Sequence, residues 1–329
     1  MKPLKLYLIA SAGVGLIFLA ALFIGTTPMS LTRFFRALIG AGEAGDMIVL
    51  WEIRAPRTLA AFVVGASLGA SGAALQGLLR NPLAEPGVLG VSACSALGGA
   101  VALFYGAASA ASLTAPLAAV VGALAATIIL TLAAQYAASV VTLILIGVGL
   151  SSFAGAVMAL LLNLAPNPFS LAEMMSWTLG SVANRSYGDI ALAAPFLAVG
   201  GVCIASVARS LSALTLGEAS AYGLGVNLER TRILTVLGAS LMTGASVSIA
   251  GAIGFIGLVA PHMVRPLVGH DPARTIGPAA LLGGAVLIVA DMGVRLIPTT
   301  TELRLGVLAA LIGAPAFVWI AMRSRARYG

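Results

Sequence analysis

The stretch Leu117–Ala134, which reads LAAVVGALAATIILTLAA, contains no charged residue and is long enough for a helix that crosses most of a bilayer. A second run, Leu281–Ala290, reads LLGGAVLIVA and has the same character. A transmembrane β-strand would instead alternate apolar and polar residues over about ten positions. Since a helix satisfies its backbone hydrogen bonds within one segment, these runs predict an α-helical membrane protein.

The composition of the whole chain points the same way. Of its 329 residues, 60% are hydrophobic and only 9% are charged. Soluble proteins carry about 25% charged residues, so this chain has too few to cover a surface that faces water. The composition therefore excludes a soluble globular protein and a disordered one.

Ten apolar segments are predicted to span the membrane, which places both ends of the chain on one side. The segments are 6–24, 57–79, 90–106, 115–134, 141–163, 190–208, 230–250, 255–268, 275–296 and 304–322. Short surface helices are expected at 31–39 and within 164–189. Eleven of the 18 Lys and Arg residues fall on the side of the termini, which favours a cytoplasmic N-terminus and C-terminus.

The sequence offers no pattern for a catalytic or metal site. Lys2 and Lys5 are its only lysines, so it lacks the G-x-x-x-x-G-K-[ST] loop that binds ATP, and a separate subunit would have to bind it. Its two histidines, His262 and His270, fit no zinc or catalytic motif. The scarcity of Asp, Glu and His in the apolar segments argues against a proton-coupled secondary transporter, the alternative from another functional class.

Three parts of the chain resemble one family of transporters in the order and spacing of their residues. The first is RAPR at 54–57 with LQGLLRNPLAEPGVLG at 75–90; the second is GFIGLVAPHMVR at 254–265; the third is Asp291–Arg295 with TELRLG at 301–306 and GAPAF at 313–317. Together they closely resemble the permeases of ABC importers for iron-siderophores, haem and cobalamin. The resemblance implies the type II ABC importer permease fold, in the bacterial inner membrane, with residues 1–329 as one transmembrane domain.

The resemblance also implies the partners of the chain. Members of the family form a homodimer, two cytoplasmic ATPase subunits dock on its inner side, and a periplasmic binding protein delivers the substrate from outside. ATP and Mg²⁺ would be bound by the ATPase subunits, so this chain is expected to bind no cofactor and to be no enzyme. A tetrapeptide, Gly-Ala-Ser-Leu, occurs at 65–68 and again at 238–241. It is consistent with inverted halves at about 57–163 and 230–322, and ordinary helix packing is the alternative.

Matching the motifs of this chain to those of the family gives seven site residues, three at the outer side of the membrane and four at the cytoplasmic side. At the outer end, the resemblance implies docking of the binding protein at Arg54, Arg57 and Arg295, whose guanidinium groups suit pairing with carboxylates. Anchoring at the lipid headgroups is the alternative for the first two, and the i,i+4 spacing of Asp291 and Arg295 also predicts a structural pair. At the inner end, the loop 209–229 resembles the family's coupling loop, with a plain connector as the alternative. Its implied contacts with the ATPase are Gly217, Glu218, Ala221 and Gly225.

The substrate and its path are expected from the same resemblance. The segment Ser139, Val140, Val141 and Thr142 matches a region that narrows the inner end of the pathway in related permeases. Arg185, near the outer mouth, is expected to meet a propionate of haem. The run VGASLGASGAALQGLLRNPLAEPGVLGVS at 64–92 resembles the haem-importing branch most closely, and a ferric siderophore or cobalamin is the alternative substrate.

Overall fold

The computed structural model describes residues 3–106, 113–136, 140–297 and 302–325, and these ranges consist of helices joined by turns and short loops. The α-helices are α1 Pro3–Phe23, α2 Leu31–Leu38, α3 Ala44–Met47, α4 Ala55–Leu78, α5 Val91–Phe104, α6 Thr114–Tyr136, α7 Val140–Asn163, α8 Pro168–Leu179, α9 Tyr187–Leu214, α10 Glu218–Gly223, α11 Leu228–Ala250, α12 Ile256–Val264, α13 Pro272–Leu296 and α14 Leu305–Arg325. A π-helical segment, Ile48–Arg54, joins α3 to α4, and 3₁₀ turns lie at Pro86–Leu89 and Arg265–Val268.

Seven helices of the described ranges are long and apolar enough to cross a membrane. They are Lys5–Phe23, Ala44–Leu78, Thr114–Gln135, Val141–Asn163, Tyr187–Leu214, Leu228–Ala250 and Pro272–Leu296. Three shorter apolar helices, Val91–Phe104, Ile256–Val268 and Leu305–Pro315, coincide with the other predicted spans. The predicted all-α membrane fold with about ten spans is therefore confirmed, and the surface helices expected at 31–39 and within 164–189 are α2 and α8.

One helix differs clearly from its predicted bounds. The predicted span 190–208 is α9, which begins at Tyr187 and continues to Leu214. At its start, Ser186 and Asp189 form a capping box, and near its end Leu211 and Leu214 are buried in the core. Because these leucines continue the apolar face beyond Arg209, the inner connection to α11 covers 215–227 rather than 209–229.

The centre of the bundle is formed by α4 and α11, the most buried of the spanning helices. α4 packs against α13, α11 and α12, and α11 packs against α9, α6 and α5. By contrast, α1 and α7 expose most of their length, with Leu16, Leu145 and Phe153 among the apolar side chains at their surface. An apolar side chain on such a face needs lipid or another protein as its neighbour, which agrees with a membrane location.

Glycines allow α4 to approach its neighbours with backbone against backbone. A Cβ atom at Gly65 or Gly69 would overlap the carbonyl oxygen of Gly283 or Ala279 on α13. A Cβ at Gly72 would overlap Gly257, where α12 begins. Such contacts between small residues favour tight helix packing in a membrane. The hydrophobic effect does not drive helices together there, because lipid tails are as apolar as the side chains.

The turn that contains RNPLAEPG folds back into the bundle. The side-chain oxygen of Asn81 accepts a hydrogen bond of 2.9 Å from the backbone N–H of Leu83, which shapes the turn. The following 3₁₀ turn, Pro86–Leu89, packs against α7 at Gly147 and against α12 at Gly257. This segment therefore lies beside the middle of spanning helices, although its composition alone suggests an ordinary surface turn.

We expect Gly69→Ala to destabilise the protein by about 1–3 kcal/mol, because the new methyl group would be forced onto the α13 backbone. The matched control is Gly155→Ala on α7, where a Cβ meets nothing within 4 Å. Heating both purified variants in detergent and following the monodisperse fraction measures the effect. Equal unfolding temperatures for the two variants would contradict the proposed helix contact.

Candidate functional site

A buried carboxylate, Asp291, holds two arginines together at the end of the bundle where α1 ends and α4 begins. Its side chain is 1% exposed. Asp291 Oδ1 accepts hydrogen bonds from Arg57 Nε at 3.0 Å and Nη2 at 2.7 Å, and Oδ2 accepts one from Arg295 Nε at 2.8 Å. A second nitrogen of Arg295 also donates to Oδ2, and Arg57 Nη2 donates to Glu302. Two guanidinium groups and two carboxylates thus balance in charge.

Two arginines also satisfy the C-terminal end of α1. Arg54 Nη1 donates to the carbonyls of Leu22 at 2.9 Å and Phe23 at 2.6 Å, and its Nη2 donates to Thr27. Arg295 Nη1 donates to the carbonyl of Ala21 at 2.9 Å. The last carbonyls of a helix lack intrahelical partners and carry partial negative charge, so cations stabilise this end.

The three arginines expected to dock a binding protein therefore have partners within the chain. Arg54 and Arg295 are buried, whereas the Arg57 side chain is 14% exposed and its partner Glu302 is 37% exposed. The predicted structural pair of Asp291 and Arg295 is confirmed. Docking at these arginines stays a prediction. Sequence reasoning missed Glu302 as a partner of Arg57, because the two residues are far apart in the chain and no local pattern links them.

At the opposite end of the bundle, a short helix projects between α9 and α11. Gly217 and Gly225 flank α10 with positive φ angles of 97° and 82°, which glycine adopts without strain. Ala221 is fully buried, and its carbonyl accepts a hydrogen bond of 3.0 Å from the backbone of Val226. Glu218 is exposed. Of the four residues predicted to contact a partner, Ala221 is thus turned inward.

Three apolar side chains around α10 were not among the predicted contacts. Leu216, Tyr222 and Leu224 are 65%, 72% and 66% exposed. Exposed apolar groups on a loop outside the spanning segments form a surface suited to another protein. The sequence does carry a signal for these three side chains, because they are large apolar residues within a loop that is otherwise small and polar.

The residues expected to narrow the pathway lie at the start of α7, at the same end of the bundle as α10. Ser139 lies outside the described residues, and Val140 is the first residue of α7. Val141 is 63% exposed, and Thr142 follows it on the same helix. Arg185 precedes α9, at the opposite end of the bundle, so these residues do not form one site.

Arg185 lines a cavity of about 360 Å³ at the end of the bundle that contains Asp291. Its guanidinium carbon lies 5.9 Å from the centre of the Trp177 ring, which is a cation–π arrangement. Burial lowers the pKa of Arg185, and the negative charge of Asp189 opposes this shift. Arginine side chains stay protonated in proteins, so the group is a cation. Arg304 and Glu173 also line the cavity. The charged residues that line the cavity therefore sum to a net positive charge, and Asp189 lies outside the lining but near Arg185.

Comparison with known proteins identifies related chains along nearly the whole length. Residues 13–323 match the FecCD transport family. The uncharacterized ABC transporter permease protein YvrB of Bacillus subtilis is 36% identical over 301 residues, which is 88% of this chain and 83% of YvrB. The vitamin B12 import system permease protein BtuC of Klebsiella pneumoniae is 40% identical over 287 residues, which is 87% of this chain and 86% of BtuC.

A solved structure has the same architecture. It is described as a metal-chelate type ABC transporter in an inward-facing conformation, and it superposes with a TM-score of 0.87 at 28% sequence identity. The match covers 98% of this chain and 100% of the solved chain. The helical bundle described above is therefore the permease fold of type II ABC importers.

We expect Asp291→Asn to destabilise the protein by about 3–5 kcal/mol, because it removes the charge that compensates the buried Arg295. Glu302→Gln removes only a half-exposed partner of Arg57, so its expected cost is about 0–1 kcal/mol. Thermal unfolding of both variants in detergent compares the two costs. The role of Asp291 would be contradicted if Glu302→Gln lowered the unfolding temperature as much as Asp291→Asn.

Proposed function

The chain belongs to the FecCD transport family and is a multi-pass permease subunit of a bacterial ABC importer, and from this premise we propose that it moves haem across the inner membrane. The observation that supports haem is the net positive cavity around Arg185 and Arg304. Haem carries two carboxylates, which such a cavity attracts. The resemblance of residues 64–92 to the haem-importing branch agrees with this choice.

Two other substrates of the same kind are second candidates. Cobalamin is the substrate given in the name of the Klebsiella pneumoniae relative at 40% identity, which is the specific observation in its favour. A ferric siderophore is also bulky, and many siderophores carry carboxylates. All three are large metal chelates, so transport by alternating access does not depend on which of them is the substrate.

The proposed assembly is a homodimer of this chain with two ATPase subunits and a periplasmic binding protein. The exposed apolar face of α7 offers a surface for a second copy or for lipid. The exposed side chains Leu216, Tyr222 and Leu224 offer a surface for an ATPase subunit at the inner end. At the outer end, Arg57 and its exposed partner Glu302 offer a charged surface for the binding protein.

Transport in this proposal is driven by the ATPase subunits and follows from alternating access. When ATP binding brings the two ATPase subunits together, each pulls on α10, which is fixed to α9 and α11 by the buried Ala221. α11 lies at the centre of the bundle and α9 packs against it, so their movement opens one end of the pathway and closes the other. Affinity for the substrate can reside in the binding protein, so the path itself needs no strong site.

The contacts of Asp291 speak against its use as a proton carrier. A proton carrier needs a carboxylate that can exchange its proton during transport. Both oxygens of Asp291 accept hydrogen bonds from arginines of the same chain, so the carboxylate is engaged in a structural contact. Asp291, the most buried of the described acids at the outer end, therefore has a structural role.

Uptake by reconstituted vesicles tests the function and its coupling. Permease and ATPase in proteoliposomes, with ATP inside and the binding protein outside, should import haem and should fail when ATP is omitted. Uptake that is independent of ATP would contradict the proposed importer function, and uptake of cyanocobalamin but not haem would favour the second candidate.

The surface around α10 can be tested in the same vesicles. The double variant Tyr222→Ser, Leu224→Ser should lose at least about tenfold in ATP-driven uptake, because truncating central contacts of a protein interface costs over 1 kcal/mol.

The matched control for that double variant is Tyr105→Ser. Tyr105 is 78% exposed but lies at the outer end of α5, far from α10. We expect it to retain wild-type uptake and to co-purify with the ATPase. The assignment of the α10 surface would fail if the double variant transported as well as Tyr105→Ser.

Substitutions of Arg57 and of Glu302 should affect docking of the binding protein differently. We expect Arg57→Gln to weaken capture of the binding protein about tenfold or more, since loss of a charge paired across an interface costs about 2–5 kcal/mol. Glu302→Gln frees Arg57 from a competing carboxylate, so capture should be unchanged or stronger. Surface plasmon resonance on monodisperse protein measures both. Equal weakening by the two variants would indicate a structural role only.

A further inference from the structure

The cavity beside Arg185 lies among the outer ends of several elements. Its lining comes from the ends of α5, α6 and α11, from α8, from the loop before α9 and from the residue before α14; the residues used below are Glu173, Ser176, Trp177, Asn184, Arg185 and Arg304. Its volume of about 360 Å³ is near the lower limit for ligand sites, which span about 300–1,000 Å³. The cavity is therefore large enough for the edge of a metal chelate rather than for the whole molecule.

The guanidinium of Arg185 has a cation–π neighbour but forms no ion pair among the described residues. Its Nε is buried and has no hydrogen-bond partner among the described residues. The neighbouring Asp189 is engaged instead by Ser186, whose backbone N–H and hydroxyl both donate to it at 2.8 Å. A buried donor without a partner costs about 1–3 kcal/mol, more when it is charged, so it calls for a ligand or water in the functional protein.

The other charged groups of the cavity do not neutralise Arg185. Within the described ranges, the ion pairs of the chain include neither Arg185 nor Arg304. Glu173 faces the same cavity, but it forms no ion pair with either arginine. The lining of the cavity thus contains two cations and one anion, with hydroxyl and amide groups from Ser176 and Asn184 beside them. The charge of Asp189 acts on Arg185 from outside the lining.

The indole ring of Trp177 lies within cation–π distance of the Arg185 guanidinium, at 5.9 Å. Trp177 is buried, and its indole nitrogen lies against Gly99 of α5, so the ring is wedged between α8 and α5. Because Nε is buried, the two terminal nitrogens of this guanidinium are the donors left for a ligand. That arrangement matches the two oxygens of a carboxylate, which guanidinium groups bind bidentately.

We propose that this cavity is a subsite for a carboxylate substituent of the transported chelate, with Arg185 as the bidentate donor and Arg304 as the second cation. The proposal rests on the proposed function for the identity of the ligand as a chelate. It adds the chemical group by which the permease itself distinguishes substrates. Haem and carboxylate siderophores fit this subsite, whereas a chelate whose carboxylates are all amidated does not.

Binding of a matched pair of probes tests the subsite. The probes are haem and haem dimethyl ester, which differ only in the two carboxylates, titrated by absorbance into nanodiscs that contain the permease, with empty nanodiscs as reference. The wild-type protein should bind haem at least about tenfold more tightly than the ester. Arg185→Gln should abolish this preference, Arg185→Lys should restore part of it, and Arg304→Gln should reduce it.

The control is Arg36→Gln, since Arg36 is an exposed arginine on α2 outside this cavity. It should keep the full preference of the wild-type protein. The subsite is refuted if the wild-type protein does not prefer haem to its ester, or if Arg185→Gln prefers haem as strongly as Arg36→Gln does. A monodisperse elution profile of Arg185→Lys, together with its partial rescue, separates loss of the donor from loss of the fold.

Uptake by the reconstituted importer separates this result from the proposed function. If haem is imported and the preference for it over the ester is absent, the subsite fails and the function stands. If haem is not imported but the preference is present and depends on Arg185, haem transport fails and the subsite stands. Each of the two claims can therefore be overturned alone.

Discussion

A charged side chain next to lipid hydrocarbon needs a counter-charge within the protein. The buried carboxylate of Asp291 is that counter-charge for Arg57 and Arg295. Through Arg57 it connects α13 to the start of α4, and through Arg295 it reaches the end of α1. Removing one member of such a group leaves a buried charge without compensation, which costs more than a surface pair contributes. The outer end of the bundle therefore depends on this group of charges as one unit.

The middle of the bundle is held by a different kind of contact. Where α4 meets α13 and α12, carbonyl groups lie against glycine Cα atoms. Lipid tails are as apolar as leucine, so the helices associate through close packing rather than through removal from water. The same close contacts transmit movement, because an element with no free space beside it cannot shift alone. A displacement of α10 would therefore be carried through α9 and α11 into the centre.

Most of the fold could be predicted from the sequence, whereas much of the site could not. Helix number and approximate bounds follow from long apolar runs, since a membrane leaves the backbone almost no alternative to a helix. The extension of α9 to Leu214 was missed because polar residues mask an apolar face that continues past Arg209. The internal partners of Arg54 and Arg57 were missed because they come from distant parts of the chain, and a sequence lists charges without their neighbours. The inward direction of Ala221 likewise depends on how α10 packs, which its small size does not reveal.

The arginines that satisfy the end of α1 also impose an order on how the protein is made. α1 is synthesised before α13, so the carbonyl of Ala21 enters the membrane while Arg295 has yet to be translated. Until α13 has been inserted, the carbonyl of Ala21 must rely on water or lipid headgroups, whereas Arg54 follows soon after α1 and can already donate to the carbonyls of Leu22 and Phe23. Attachment of α1 to α13 is thus a later step of biogenesis than its attachment to Arg54, and truncation of the chain before Arg295 would remove the first contact while leaving the second.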